Sequence, residues 1–286
     1  MASLNPSSDI TAFINTIFEA SILVARDNNV MTGIVRGFND RTGVATRQNS
    51  QYGGMTVNDI AETDDLVGQA FTPASIATLT PSEAGGQYFL TDTRVESDPF
   101  TVRNDASQDM GLAMATKMEV DLIGAFTSLT GGTVGAAGSA ITWSYVYAME
   151  AQLKAQKAPY PYFMVLHPYQ WSVLKKAATV AGTRTNASET FMDSLRQSMY
   201  FVYQDGGMFF YSSANIPTIT GDDAYVGLWS RDAIGLDMLR QPRIEPERDA
   251  SRRGWELNLS ALYGHGVWRP KFGVQGIFDN TAPTGV

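Results

Sequence analysis

The sequence contains no cysteine and only two histidines, His167 and His265, in 286 residues. Without thiols there is no disulfide frame, no thiolate metal site and no cysteine nucleophile, and the chain is indifferent to redox compartment. Scarce histidine thins the enzyme toolkit further, because imidazole is the group most used for acid–base work near neutral pH. Lysine is absent before Lys117. No segment approaches the roughly 20 apolar residues needed to cross a bilayer, and no basic stretch leads into an apolar core at the start. The expectation is a cytosolic, unprocessed and unanchored chain. A net charge of -8 argues against a protein whose main task is to hold nucleic acid, since that binding rests on Lys and Arg neutralising phosphates.

What is present suits a folded protein: 44% hydrophobic and 11% aromatic residues exclude disorder as the main state. A compact chain of this size buries roughly 70–75% of its unfolded surface, enough for one large domain or two modest ones. The charge is segmented. Residues 1–116 carry six Arg and fourteen acidic residues, a balance of -8; residues 117–230 balance to -1 and residues 231–271 to +2. Acidic and basic segments of this kind attract one another within a chain or between copies, although two solvated faces also explain them.

Apolar residues Ile10, Phe13, Ile14, Ile17, Phe18 and Ala25 recur at steps of three and four, predicting an amphipathic helix after Ser7 and Ser8. From Thr32 to Glu83 glycines punctuate short β-prone runs, Thr42 to Thr46 and Gln69 to Thr72 among them. This reads as a long, weakly cored excursion that needs a partner or stays mobile. Tyr88 to Val95 reads as a strand. Asp105 with Gln108 fits a capping box opening a helix through about Leu129, closed by Gly131 and Gly132, a rod of roughly 36 Å. Further helices are expected near Thr142 to Lys157, Pro168 to Val180 and Ser188 to Gln197. Strands are expected at Tyr162 to Leu166, Tyr200 to Gln204, Met208 to Tyr211 and Ala224 to Leu228, with Gly206-Gly207 as a hairpin turn. Trp255, Leu257, Leu259, Ala261 and Tyr263 alternate with polar residues, the mark of a half-buried strand.

Chemical motifs are sparse. There is no Gly-x-Ser-x-Gly, and neither histidine sits in a hydrolase signature, so a serine/histidine hydrolase is a weak alternative reading. His167 reads as a capping or packing residue and His265, between two glycines, as a turn residue. Gly131 to Gly138 lack a following Gly-Lys-Ser/Thr and read as a flexible hinge rather than a phosphate cradle. The pairs Asp64-Asp65 and Asp222-Asp223 lie outside calcium-loop spacing and read as turns. No catalytic, metal or cofactor site is expected. The remaining feature is Arg240, Arg243, Arg248, Arg252 and Arg253 interleaved with Glu245, Glu247, Asp249 and Glu256. Planar guanidinium–carboxylate pairs suit ordered ion-pair networks at an interface, although ordinary exposed pairs on a surface strand explain the pattern equally well.

The order of elements, with the strings Phe71-Thr-Pro-Ala-Ser-Ile-Ala-Thr-Leu-Thr-Pro81, Thr91-Asp-Thr-Arg-Val-Glu-Ser-Asp-Pro99, Met164-Val-Leu-His-Pro-Tyr-Gln-Trp171, Arg248-Asp-Ala-Ser-Arg-Arg-Gly254 and Val267-Trp-Arg-Pro270, resembles the major capsid proteins of tailed bacteriophages. The resemblance covers nearly the whole chain and implies an α+β Hong Kong 97-type capsid fold. It implies an N-terminal arm at 1–31, an extension loop at 32–83, a peripheral-domain strand and spine helix at 84–139, an axial domain at 140–229, and peripheral strands with the tail at 230–286. Function would then lie in contacts between copies assembled as hexamers and pentamers into an icosahedral or prolate head around double-stranded DNA, bound without sequence specificity. The extension loop, with Asp59, Glu62, Asp64 and Asp65, would lie over a neighbour's segment carrying Arg240, Arg243, Glu245, Glu247, Arg248, Arg252 and Arg253. The implied partners are a separate scaffolding protein, a portal and a cement or decoration protein; the implied location is the virion capsid, assembled in the host cytoplasm. Without a lysine in the loop, covalent cross-linking of the kind found in some relatives is not expected. An encapsulin-like nanocompartment shell shares the fold and is the nearest alternative; a small adhesin is disfavoured by the missing secretion signal.

Overall fold

The computed structural model describes residues 29–40, 46–60, 62, 65, 68–97, 101–180 and 201–283. The amphipathic helix expected near 10–25 and the helix expected at Ser188 to Gln197 lie outside the described residues. In chain order the elements are α1 (Met31–Ile34), β1 (Arg36–Phe38), β2 (Arg47–Tyr52), β3 (Pro73–Leu79), β4 (Ser82–Thr91), α2 (Asp92–Ser97) and α3 (Thr101–Gly124), which continues as a 3-10 turn over Ala125–Ser128. There follow β5 (Thr133–Gly135), α4 (Trp143–Ala155), β6 (Tyr162–Leu166), α5 (Pro168–Val180), β7 (Phe201–Asp205), β8 (Met208–Ser212), β9 (Thr218–Ile219) and β10 (Asp223–Ser230). Last come β11 (Ile234–Asp249), β12 (Gly254–Val267), a 3-10 turn at Pro270–Phe272 and β13 (Gly273–Asp279).

Two sheets carry the body. One has the order β1-β11-β12-β4; the other runs β5-β13-β10-β6-β8-β7, with β9 on β10. Strand β6 is buried at every position because both of its faces are covered. Phe163 and Val165 point into a core shared with α3, β11 and β12, while Tyr162, Met164 and Leu166 point into a second core under α4 and α5. Gln170 on α5, wholly buried, locks helix to sheet by donating to Ala224 O and Phe278 O at 3.3 and 3.2 Å. The 3-10 turn sets Phe126 on Trp229, with ring centroids 5.1 Å apart, in space left by Gly227, where an added Cβ would stand 2.9 Å from the ring.

Several expectations shift. The strand expected at Tyr88 to Val95 instead runs from Ser82 to Thr91, because unbroken pairing with β12, from Tyr263–Ser82 to Gly254–Thr91, recruits weak β formers. Asp92 then turns the chain into α2, its N–H donating to Arg253 O at 2.9 Å. The long helix opens at Thr101, so Asp105 lies in its second turn rather than at its cap, and the α-helix gives way to the tighter turn at Ala125. Gly131 to Gly138 form no hinge. A Cβ at Gly131 would stand 2.5 Å from Lys271 O, and Gly135, at φ +83°, lies against Phe278, so these glycines permit close packing of β5 beside β13. His265 lies within β12 rather than in a turn. The weakly cored excursion begins later than Thr32: Met31, Ile34 and Val35 are core residues, and β1 pairs in parallel with β11. Among the described residues its strands are β2 and β3, which pair with each other; Gln69 to Thr72 form no strand, and residues 42–45 of the other expected run, Thr42 to Thr46, lie outside the described residues.

Candidate assembly interfaces

The β11–β12 hairpin is long and ends in a built turn. Asp249 Oδ1 accepts from the Ser251 hydroxyl at 2.6 Å, which above all holds its carboxyl below the usual carboxylate range, and from the N–H groups of Arg252 and Ser251 at 3.1 and 2.9 Å, which add to the effect. Arg253 takes a left-handed conformation at φ 54° before Gly254. The arginines expected to face a neighbour mostly find carboxylates in their own chain. Arg248 grips Asp92 with two hydrogen bonds of 2.7 Å, Arg252 reaches Glu256 at 3.2 Å, Arg243 reaches Glu245 at 3.0 Å, and Arg240 pairs with Glu83. Among the described residues Glu247 and Arg253 have no ion-pair partner, so the unspent charge at this end of the sheet is small.

On the acidic side, Asp59, Glu62 and Asp65 have no ion-pair partner among the described residues, and Asp64 lies outside them. Among the described residues no ion pair joins Asp59, Glu62 or Asp65 to an arginine of the same chain. What the sequence reading missed is the apolar character of the excursion's outer part. Met55, Val57 and Phe71 are 78, 85 and 79% exposed. Phe71 stacks on Tyr52 with ring centroids 4.2 Å apart and planes 6° from parallel, and the side chain of Gln69 bridges both backbone groups of Thr56 at 3.1 and 3.0 Å. The alternation Met55-Thr-Val57 in an otherwise polar run was the signal available.

The base of the excursion is fastened. Arg47 donates to Asp237 at 3.0 Å and to Asp40 at 2.8 Å, and its guanidinium lies 4.5 Å from the Phe38 ring centroid. The hydrogen bond from Arg47 holds the Asp40 carboxyl below its ordinary value. Gln51 donates to Trp268 O at 2.9 Å, and Leu79 is wholly buried against Gly235 and Gly266.

A cavity of about 650 Å³ between β3, α3 and β12 contains Asp121, Ser128 and His265 in its lining. This is no hydrolase triad. No hydrogen bond joins His265 to Ser128, and Asp121 is taken by Tyr263 Oη at 2.6 Å and Lys117 Nζ at 2.5 Å. Burial opposes its ionisation, yet those two partners hold Asp121 below the usual range, while burial and Asp121 push the Tyr263 phenol up. Burial lowers both histidines. His167 Nδ1 accepts from Tyr169 N–H at 3.3 Å, a local cap at the start of α5. Among the described residues no group of three His, Cys, Asp or Glu side chains is placed to hold a metal ion, and no helix is long and apolar enough to cross a membrane.

Comparison with known proteins gives consistent results. The model of the phage capsid protein family matches residues 74–275. A comparison with curated protein sequences finds no match. Among solved structures, the capsid of cyanophage P-SCSP1u is similar at a TM-score of 0.66 and 15% identity, covering 88% of this chain and 89% of that one. Mycobacterium phage Che8 is similar at 0.69 and 16%, covering 89 and 92%. A virus-like particle from Pyrococcus furiosus is similar at 0.61 and 8%, covering 92 and 98%. At these identities the solved structures show a shared fold.

Proposed function

Because the chain belongs to the phage capsid protein family, whose members are structural proteins rather than enzymes, we propose that its copies assemble as hexamers and pentamers into a closed head enclosing double-stranded DNA. On this reading the β2–β3 ribbon and residues 53–72 are the extension loop, α3 is the spine helix, the seven-stranded sheet with α4 and α5 is the axial domain, and the four-stranded sheet is the peripheral domain. A portal, a separate scaffolding protein and a cement protein complete the assembly. The observation that carries the proposal is the excursion, an arm clamped at its base whose apolar side chains Met55, Val57 and Phe71 no described residue of the same chain buries. Each such side chain contributes about 1.5–3 kcal/mol when fully buried, so a contact repeated at every copy closes a shell without covalent links. The net acidity of the subunit suits a wall that must not hold packaged DNA tightly.

The acidic residues of the excursion and the basic hairpin tip of a neighbour steer this contact more than they strengthen it, since most arginines are already paired. Arg252→Glu with Arg253→Glu is expected to block or slow assembly while leaving the monomer folded; normal assembly by light scattering would remove that steering role. The proposal as a whole is tested by negative-stain electron microscopy and sedimentation of the protein, expressed alone and with its neighbouring genes. Regular polyhedral shells are expected, and a stable monomer under both conditions overturns it. An encapsulin-like shell, the fold-sharing alternative, predicts protein cargo in place of nuclease-protected DNA.

A further inference from the structure

We infer that Glu119 is a proton-operated latch on the long helix α3. While neutral it lets the chain entry at residues 29–35 and the loop between β8 and β9 close over the helix; when ionised it opens that seam and loosens the root of residues 1–28. The latch belongs to the single subunit and stands apart from the shell reading.

Three segments meet at this carboxyl, which is 1% exposed. From the loop, Asn215 Nδ2 donates to Glu119 Oε2 at 3.0 Å. Ser213 fastens that loop to the seven-stranded sheet: its N–H donates to Leu166 O at 3.0 Å, and its hydroxyl accepts from the Asn215 N–H at 3.2 Å. From the chain entry, Asn29 Nδ2 donates at 3.2 Å to Ala115 O, one turn before Glu119, and Asn29 Oδ1 accepts from the Thr32 N–H at 3.0 Å at the start of α1. Val30, Met31, Ile34 and Val35 share one apolar cluster with Met114 and Met118 of α3 and Ile216 of the loop.

The carboxyl is the member of this junction whose bonding is incomplete. Its Oε1 has no hydrogen-bond partner among the described residues. Ser213 and the Val30 N–H face the group and favour its charged form, but burial outweighs them and pushes it above the ordinary carboxylate value. The charged groups around it are engaged elsewhere. On α3, Lys117 pairs with Asp121; beyond the entry, Arg36 pairs with Asp232 and Arg231 donates to Val35 O at 3.4 Å. On β8, burial pushes the Tyr211 phenol up, which keeps it neutral. Arg26 and Asp27, which precede the entry in sequence, lie outside the described residues.

An ionised carboxylate with an unmet oxygen in an apolar core draws in water or forces the core apart. The seam yields on the side of the entry. There α1 is four residues long and begins at the two Asn29 hydrogen bonds, whereas the loop is tied into the sheet at Leu166. Residues 1–28 continue directly from Asn29, so the state of the seam sets how firmly they are tethered. Because the folded value is raised, closure is complete at and below the ordinary value of 4.5 and weakens as pH rises toward the folded value.

Amide hydrogen exchange of the whole protein from about pH 4.5 to 8, with each rate divided by the intrinsic rate at that pH, tests the latch. Protection of residues 30–35 is expected to fall about tenfold for each unit by which the folded value exceeds the open one, at least tenfold in all, and then to level off. Val226 and Leu228 in β10 should keep theirs. In Glu119→Gln, which has the same shape and cannot ionise, protection of residues 30–35 should not depend on pH. A flat profile in the unmodified protein, the same fall in Glu119→Gln, or an equal loss in β10 overturns the latch. If Glu119→Gln does not fold, Asn215→Ala decides: without that donor the carboxyl is harder to ionise, so the fall should extend to higher pH, and a profile identical to that of the unmodified protein overturns the inference.

Discussion

The seven-stranded sheet and the β2–β3 ribbon use similar side chains and leave them in opposite states. Tyr162, Phe210 and Trp229 are wholly buried in the body, whereas Tyr52 and Phe71 stack on one another in the ribbon and remain exposed. The difference lies in the layers. The sheet has α4 and α5 on one face and α3 with its 3-10 turn on the other, so every residue of β6 is covered. The ribbon has two strands and no covering layer, an arrangement that is marginal by itself. It keeps its shape from its base, where Arg47, Gln51 and Leu79 tie it to β11 and β12. One region is stabilised by layers within the chain; the other is tied to the body at its base and leaves its apolar side chains exposed.

That contrast can be broken from the body side first. Trp229→Ala is expected to cost the monomer about 3–5 kcal/mol in urea unfolding, because it empties the contact with Phe126 at the centre of the shared core. A loss below about 1 kcal/mol would mean that the two sheets do not share that core. Gly135→Ala is expected to cost about 1–3 kcal/mol, since the left-handed backbone and the nearby Phe278 ring both oppose a side chain. An unchanged melting temperature would restore the hinge reading of this segment.

At the boundary, Arg47→Ala removes charged hydrogen bonds worth about 1.5–3 kcal/mol. Hydrogen exchange should then accelerate in β2 and β3 while the seven-stranded sheet keeps its protection; uniform acceleration would contradict a locally clamped ribbon. Glu119 tests the boundary where the chain enters the body. It is buried on α3, takes a hydrogen bond from Asn215 at 3.0 Å, and is pushed above its ordinary value by burial. A carboxyl whose folded value is raised contributes its full stability below the unfolded value, near pH 4, and loses it as pH rises through the folded value. The stability difference between Glu119→Gln and the unmodified protein should therefore move in favour of the variant from about pH 4 to 7; a pH-independent difference would sink the assignment. The smallest effect on the monomer is expected at the ribbon tip. Met55→Ser with Val57→Ser should change unfolding by no more than about 0.5 kcal/mol and yet suppress particle formation.

Much of the body was legible because its signals are local. Pro168 at the first turn of α5, the β-prone run of β6 and the Gly206-Gly207 turn with both φ values positive all stand where their sequence signals put them. The pairing of the charged hairpin was less legible. The arginine run was visible, but its partners Asp92 and Glu83 lie more than 150 residues away, and only the pairing of β4 beside β12 brings them together. The reading of Gly131 to Gly138 as a hinge failed for a related reason. Glycine serves mobility and close packing alike, and which applies depends on whether a strand such as β13 stands next to it.

By itself the sequence determined what depends on neighbouring residues: the periodicities of helices and strands, the turn glycines, the absence of thiol chemistry and the acidic-to-basic order along the chain. Only the tertiary structure decided which charges are already spent, which glycines are crowded, which strand ends a sheet and which apolar side chains stay exposed. Those properties depend on long-range register, which arises when distant segments pair and which no local spacing encodes.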